Sequence, residues 1–287
     1  MTTVYKNFTL SELEVHFNPQ NAVANHASWS ERRNAASAAN RKKLKGFLDV
    51  PYGASPREKL DIFPAEKTGA PVLIYFHGGY WRSGGKEQNA HFADLFTARG
   101  ATVVVAGYDL APSVTVTDIV REARSAVAWV YKNISRYAAD PAKLHIGGIS
   151  AGGHLVAMAL ANDWQKAGLP RDIIKGATAI TGVYDLDAVL HIAVNQEIRL
   201  TPETAKENSP LLHPPPAVAP LIVAVGGAEP EGWRAQSREF FRICRERGVE
   251  CQFIEISGGH HYSMGLELMD PASPLTRAML KQIGLPA

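Results

Sequence analysis

The chain has 287 residues, a formal net charge of +2, 46% apolar residues and 20% charged ones. That composition fits a soluble globular protein with a large buried core, and the near-neutral balance lacks the clustered basic face of a nucleic-acid binder. No apolar stretch follows a basic start in the first thirty residues and no run of eighteen apolar residues occurs, so neither a signal peptide nor a membrane span is expected. Cys244 and Cys251, the two cysteines, read as free thiols in a reducing, cytoplasmic setting, and two cysteines alone cannot build a structural zinc site.

The opening segment, residues 1–45, is polar and alanine-rich and is expected to form helical turns packed over the main body. Two apolar pieces, Phe47–Val50 and Leu60–Phe63, flank a turn-rich stretch from Pro51 to Pro56 and read as a hairpin. Apolar runs then recur at Val72–Phe76, Ala101–Ala106, Leu144–Ile149, Ala177–Thr181, Leu221–Val225 and Cys251–Ile256. Such runs suit strands buried on both faces. Between them lie helical patterns: Ile119, Ala123, Ala126, Val127 and Val130 share one stripe, and similar stripes fit Gly152–Asn162 and Trp233–Arg247. This alternation predicts one α/β domain over 1–287, with a mostly parallel central sheet flanked by helices. Residues 185–216 break the rhythm with extra helical material and Pro210, Pro214, Pro215 and Pro216; an insertion there is expected to cap the carboxyl ends of the strands.

Gly148-Ile149-Ser150-Ala151-Gly152 matches G-x-S-x-G directly after a predicted strand and at the start of a predicted helix. A nucleophile elbow needs that setting, because the serine sits on a strained turn and its neighbours must be small. The Ala151 N–H, at the helix start, is then placed near a developing oxyanion. Phe76-His77-Gly78-Gly79-Tyr80-Trp81 follows the strand Val72–Phe76, and its glycines let backbone N–H groups turn inward. Gly79 and Tyr80 are the expected oxyanion donors beside Ala151, with Gly78 a substitute, and His77 is expected to shape the loop. Tyr80, Trp81, His154 and Tyr184 are candidate walls of the substrate pocket, Trp81 the foremost, and Arg82 is the nearest cation to the loop.

Such an elbow takes its acid and base from later loops, in the order serine, carboxylate, histidine. Gly226-Gly227-Ala228-Glu229-Pro230-Glu231 follows the next-to-last strand, and Glu229 is preferred over Glu231 because it lies nearer the strand end. After the last strand comes Gly258-Gly259-His260-His261-Tyr262, where only one histidine can serve. A zinc role for the pair is disfavoured, since adjacent side chains diverge and no H-E-x-x-H accompanies them.

His77-Gly78-Gly79-Tyr80-Trp81 together with Gly148 through His154 resembles the kynurenine formamidase branch of the α/β-hydrolases, a neighbour of the hormone-sensitive-lipase-like esterases. Tyr108-Asp109-Leu110-Ala111-Pro112, Gly182 through Leu186, Asn208-Ser209-Pro210 and the stretch from Gly226 through Ser237 add to the likeness, which covers the chain from about Pro51 onward. The resemblance implies an α/β-hydrolase fold and a serine hydrolase acting on small carboxylic esters or aryl and N-formyl amides through an acyl-enzyme, with no cofactor and no metal. It also selects His261 as the base, because such loops carry an aromatic residue directly after the histidine, here Tyr262. A non-catalytic ligand-binding protein on the same scaffold is the alternative, and the intact set Ser150, Glu229 and His261 speaks against it. Edge strands and the 185–216 segment offer surfaces for a homodimer.

Overall fold

All six apolar runs become strands of one sheet in a computed structural model that describes residues 3–286. The strands are β1 (Phe47–Pro51), β2 (Lys59–Phe63), β3 (Ala70–Phe76), β4 (Thr102–Ala106), β5 (Ala139–Ile149), β6 (Ile174–Ile180), β7 (Leu221–Gly226) and β8 (Cys251–Ile256). Their spatial order is β1-β2-β4-β3-β5-β6-β7-β8. The β1–β2 hairpin and the β2–β4 pair are antiparallel, and every later pairing is parallel. β4 and β7 are buried at every position, and β5 is buried from Leu144 to Ile149, as their apolar runs demand, whereas β8 is an edge whose Gln252 and Glu255 face solvent.

Three helices open the chain, α1 (Leu10–Phe17), α2 (Pro19–Ala22) and α3 (His26–Lys43). α1 starts because Thr9 accepts from the Glu12 N–H while the Glu12 carboxylate accepts from the Thr9 N–H. α3 is polar on most of its surface, and the Asn40 amide anchors it by donating to the carbonyls of Ala90 and His91. After β3 come α4 (Ala93–Ala98) and then α5 (Val116–Asn133), whose predicted stripe is buried from Ile119 to Val130. α6 (Ala151–Leu160) is buried at every position, consistent with its apolar sequence. Residues 185–216 hold three short helices, α7 (Asp187–Leu190), α8 (Asn195–Ile198) and α9 (Pro202–Glu207). α10 (Glu231–Glu246), α11 (Ser263–Leu266) and α12 (Pro274–Ile283) complete the chain.

The register positions the site. Phe76 pairs with Gly148, Ile149 with Ile180, Ile180 with Ala224, and Gly226 with Ile256. Parallel strands in that register end together, so the loops after β3, β5, β7 and β8 emerge along one edge.

Buried Glu122 on α5 braces the Tyr108–Ala111 stretch by accepting from the Asp109 N–H at 2.7 Å. Burial, with help from the Asp109 and Glu58 carboxylates, raises its carboxyl from 4.5 to about 7. The folded state therefore binds this proton more tightly than the unfolded chain does. The stability it contributes is complete below pH 4.5 and lost as pH rises through about 7. In urea titrations from pH 4 to 8, Glu122→Gln should lose less stability with rising pH than the wild type; parallel pH profiles would contradict the assignment.

Candidate active site

Ser150 sits between the end of β5 and the start of α6 with φ 57° and ψ −120°, a conformation that non-glycine residues rarely adopt. Its N–H donates to the Ile180 carbonyl at 2.9 Å, which fixes the turn to β6. The turn closes because its neighbours lack side chains. A Cβ on Gly152 would stand 2.0 Å from the Phe76 carbonyl oxygen, and one on Gly148 2.5 Å from the Gly152 oxygen. Gly152→Ala must push backbone against backbone. We expect a loss of about 3 kcal/mol or more, read as a drop of several degrees in Tm together with lost hydrolysis; an unshifted Tm would refute the close approach.

The loop after β3 lies directly over this turn: a Cβ on Gly78 would meet the Ile149 oxygen at 3.0 Å and the Ser150 Cβ at 3.1 Å. Gly79, Tyr80 and Trp81 all have positive φ, at 122°, 51° and 55°. Ordinary residues at the last two positions store strain of about 1–3 kcal/mol each. Hydrogen bonds from the Arg82 and Ser83 N–H groups to the Gly79 carbonyl, and from the Ala111 N–H to the Trp81 carbonyl, hold the loop. The N–H groups of Gly79, Tyr80 and Ala151 donate to no acceptor among the described residues. His77 is fully buried, stacks on Tyr108 with ring centroids 4.1 Å apart, and bonds the Gly78 carbonyl through Nδ1 at 2.7 Å. Burial lowers its imidazole to about 4, so it stays neutral and shapes the loop.

Glu229, in the loop after β7, uses both carboxylate oxygens. Oε1 accepts from the Gly226 N–H at 2.9 Å and Oε2 accepts from His261 Nδ1 at 2.8 Å. The imidazole packs on Trp233 with ring centroids 4.5 Å apart. Glu231 instead pairs with Arg234 and Arg238. His260 is turned elsewhere: its Nδ1 accepts from the Ser263 N–H, and its ring meets Trp29 edge-on. Ser150 and His261 line one cavity of about 380 Å³, with no hydrogen bond between them. Contacts of this type commonly tighten only once substrate is bound.

Three expected walls of that cavity lie elsewhere. Trp81, His154 and Tyr184 are fully buried, because Trp81 Nε1 donates to His154 Nδ1 at 3.2 Å, His154 Nε2 donates to the Asn208 carbonyl, and Tyr184 stacks on Phe240. These are packing contacts beneath the site. The 185–216 segment is likewise a minor contributor, with Val194 its one lining residue among those described. Most of the roof comes from the N-terminal segment: Asn18, Pro19, Gln20, His26, Ser30 and Arg33. Tyr75, Asn89 and His91 line the cavity as well. None of these nine carries a motif; the one signal was the density of polar residues in 82–91, which suits a solvated loop equally well.

A family model described as "alpha/beta hydrolase fold" matches residues 73–264. The chain belongs to that family. Within it this α/β-hydrolase is esterase- and formamidase-like. It is 31% identical over 300 residues to a kynurenine formamidase of Danio rerio, spanning 98% of each chain. It is 29% identical over 261 residues to esterase LipQ of Mycobacterium tuberculosis, covering 82% of this chain and 59% of that one. A solved structure of a provisionally assigned thioesterase from a Silicibacter species superposes with a TM-score of 0.79 at 26% identity, covering 91% and 95% of the two chains. Among the described residues no helix of this α/β-hydrolase is long and apolar enough to cross a membrane.

Proposed function

We propose that this chain is a serine hydrolase that cleaves small carboxylic esters or aryl formamides through an acyl-enzyme. The observation that carries the reading is the pairing of a serine in a strained elbow with an imidazole, itself held by a buried carboxylate, on the wall of one cavity. With Nδ1 donating to Glu229, His261 presents the lone pair of Nε2, which suits it to take the Ser150 proton as Oγ attacks the carbonyl carbon. Negative charge moves to the carbonyl oxygen, where the unpaired N–H groups of Gly79, Tyr80 and Ala151 are the donors we assign. His261 then gives its proton to the departing alcohol or amine. Water, deprotonated by His261, attacks the acyl-enzyme, and Ser150 recovers its proton as the acid leaves.

A formamide preference is supported by the match to a kynurenine formamidase along nearly the whole of both chains, whereas the LipQ match spans 59% of that esterase. The test compares kcat/KM for formanilide and p-nitrophenyl acetate. A formamidase should turn over formanilide with kcat/KM of at least 10⁴ M⁻¹s⁻¹, the lower end for an enzyme on a substrate it is suited to. Hydrolysis of the ester alone would assign a carboxylesterase, and inertness toward both would defeat the proposal.

A further inference from the structure

Glu229 holds the imidazole of His261 at one atom, and a single hydrogen bond at Nδ1 leaves the ring free to swing about that bond. The direction in which Nε2 is aimed is therefore set by what lies against the ring. That surface is Trp233, in the first turn of α10. It is fully buried, with its ring centroid 4.5 Å from that of the imidazole at an interplanar angle of 47°. Tyr262 lies farther from the imidazole, at 6.1 Å and edge-on.

Trp233 is itself clamped. Its backbone N–H donates to the Pro230 carbonyl at 3.1 Å, and its carbonyl accepts from the Ser237 hydroxyl at 2.9 Å. Its indole meets Phe17 of α1 at 6.1 Å and Tyr80 of the loop after β3 at 6.2 Å. Phe17 closes the arrangement, because its carbonyl accepts from the Tyr80 hydroxyl and a Cβ on the neighbouring Gly232 would stand 2.7 Å from its ring. The loop after β3 and the imidazole after β8 thus share one aromatic wall. The indole Nε1 is buried with no hydrogen-bond partner among the described residues. Buried indoles usually place that N–H on an acceptor, so hydrogen bonding does not account for a tryptophan at this position. Its electronic character does. Of the aromatic rings, indole attracts a nearby cation most strongly, out to about 6 Å from its centre. His261 is the ring that becomes an imidazolium whenever it holds the proton of Ser150 or of water.

We infer that Trp233 is a positioning residue for acyl transfer: it fixes the tilt of the His261 ring and stabilises the imidazolium that forms there. The inference rests on the proposed role of His261 as general base and adds what aims that base. Trp233 does not line the cavity, so its effect belongs in the rate of the chemical steps and not in substrate binding.

Steady-state kinetics of the full-length protein test this, with p-nitrophenyl acetate or formanilide, whichever the wild type hydrolyses faster. Trp233→Leu, apolar but without an aromatic ring, should lower kcat by about 100-fold, the scale of a catalytic group displaced by about 1 Å. KM should stay within about twofold of wild type. The rate of fluorophosphonate labelling should fall in step with kcat, because it reads the reactivity of Ser150 without a substrate. Trp233→Phe keeps an aromatic ring and should recover kcat to about a tenth of wild type. Phe240→Leu is the structural control. Phe240 is equally buried on α10 but stacks on Tyr184 instead of the imidazole, so its loss should lower Tm while kcat stays within about threefold of wild type. Wild-type kcat in a folded Trp233→Leu, a loss carried by KM alone, or an equal fall in kcat in Phe240→Leu overturns the inference. If Trp233→Leu does not fold, the phenylalanine variant decides, and wild-type kcat there overturns it. Failure of the underlying reading is distinguishable, since the wild type itself would then resist the fluorophosphonate and hydrolyse neither substrate.

Discussion

Ser150→Ala should lower kcat for ester or formamide hydrolysis by about 10⁴- to 10⁶-fold. It should also abolish labelling by a fluorophosphonate while leaving the protein folded. The size follows from the proposed chemistry: without Oγ there is no acyl-enzyme, and only binding and the N–H donors remain to assist water. The structure gives the experiment a second arm. Ser150 has φ 57° and ψ −120°, a region costly for any residue with a Cβ and open to glycine. Ser150→Gly should therefore be equally inactive yet more stable than Ser150→Ala by about 1 kcal/mol or more. A serine kept there for packing alone would show neither the loss of labelling nor an activity collapse. Residual turnover above about a tenth of wild type in a folded Ser150→Ala would move the nucleophile elsewhere.

The sheet and the elbow were legible because one physical constraint governs each. A strand buried on both faces must be apolar along its length, so Leu144–Ile149 announced β5 without help from the rest of the chain. The strand–turn–helix junction must be nearly free of side chains, so Gly148, Gly152 and Gly153 marked the turn. The substrate cavity was not legible in the same way. His154 carries a polar ring, but its position on α6 points it into the core, where Trp81 and the Asn208 carbonyl satisfy both nitrogens. Tyr184 reads as an aromatic on a loop near the strand ends, yet it is fully buried and stacked on Phe240 of α10. Positive φ at both Tyr80 and Trp81 was equally hidden, since neither residue type favours it and only the loop's tertiary bonds enforce it. The roof of the cavity illustrates the same limit. The prolines near 210–216 signalled irregular backbone without saying where it lies, while α3, anchored by Asn40, reached the site through His26, Ser30 and Arg33, in a polar helix whose periodicity gave no buried face to follow.

Glu229→Gln is the sharper test of how the imidazole is held, with an expected fall in kcat of about 10⁴-fold at neutral pH. Oε1 of Glu229 accepts from the Gly226 N–H and Oε2 accepts from His261 Nδ1, so both oxygens face donors. Glutamine has one oxygen and one NH₂ to offer those two sites. If the oxygen stays with the Gly226 N–H, the NH₂ faces the ring, and His261 must present a bare Nδ1 and carry its proton on Nε2. That tautomer has no lone pair for the Ser150 proton. If the amide flips, the buried Gly226 N–H meets the NH₂ and loses its acceptor, a cost of about 1–3 kcal/mol in stability. The first arrangement predicts a folded, inactive enzyme and the second a destabilised one, and thermal unfolding beside the rate tells them apart. Glu231→Gln is the control. Its carboxylate lies on the surface against Arg234 and Arg238, where an exposed pair contributes about 1 kcal/mol or less, so activity should stay within about twofold of wild type. Loss of activity in Glu231→Gln with retention in Glu229→Gln would require the loop after β7 to rearrange before catalysis, and the assignment of the acid would move with it.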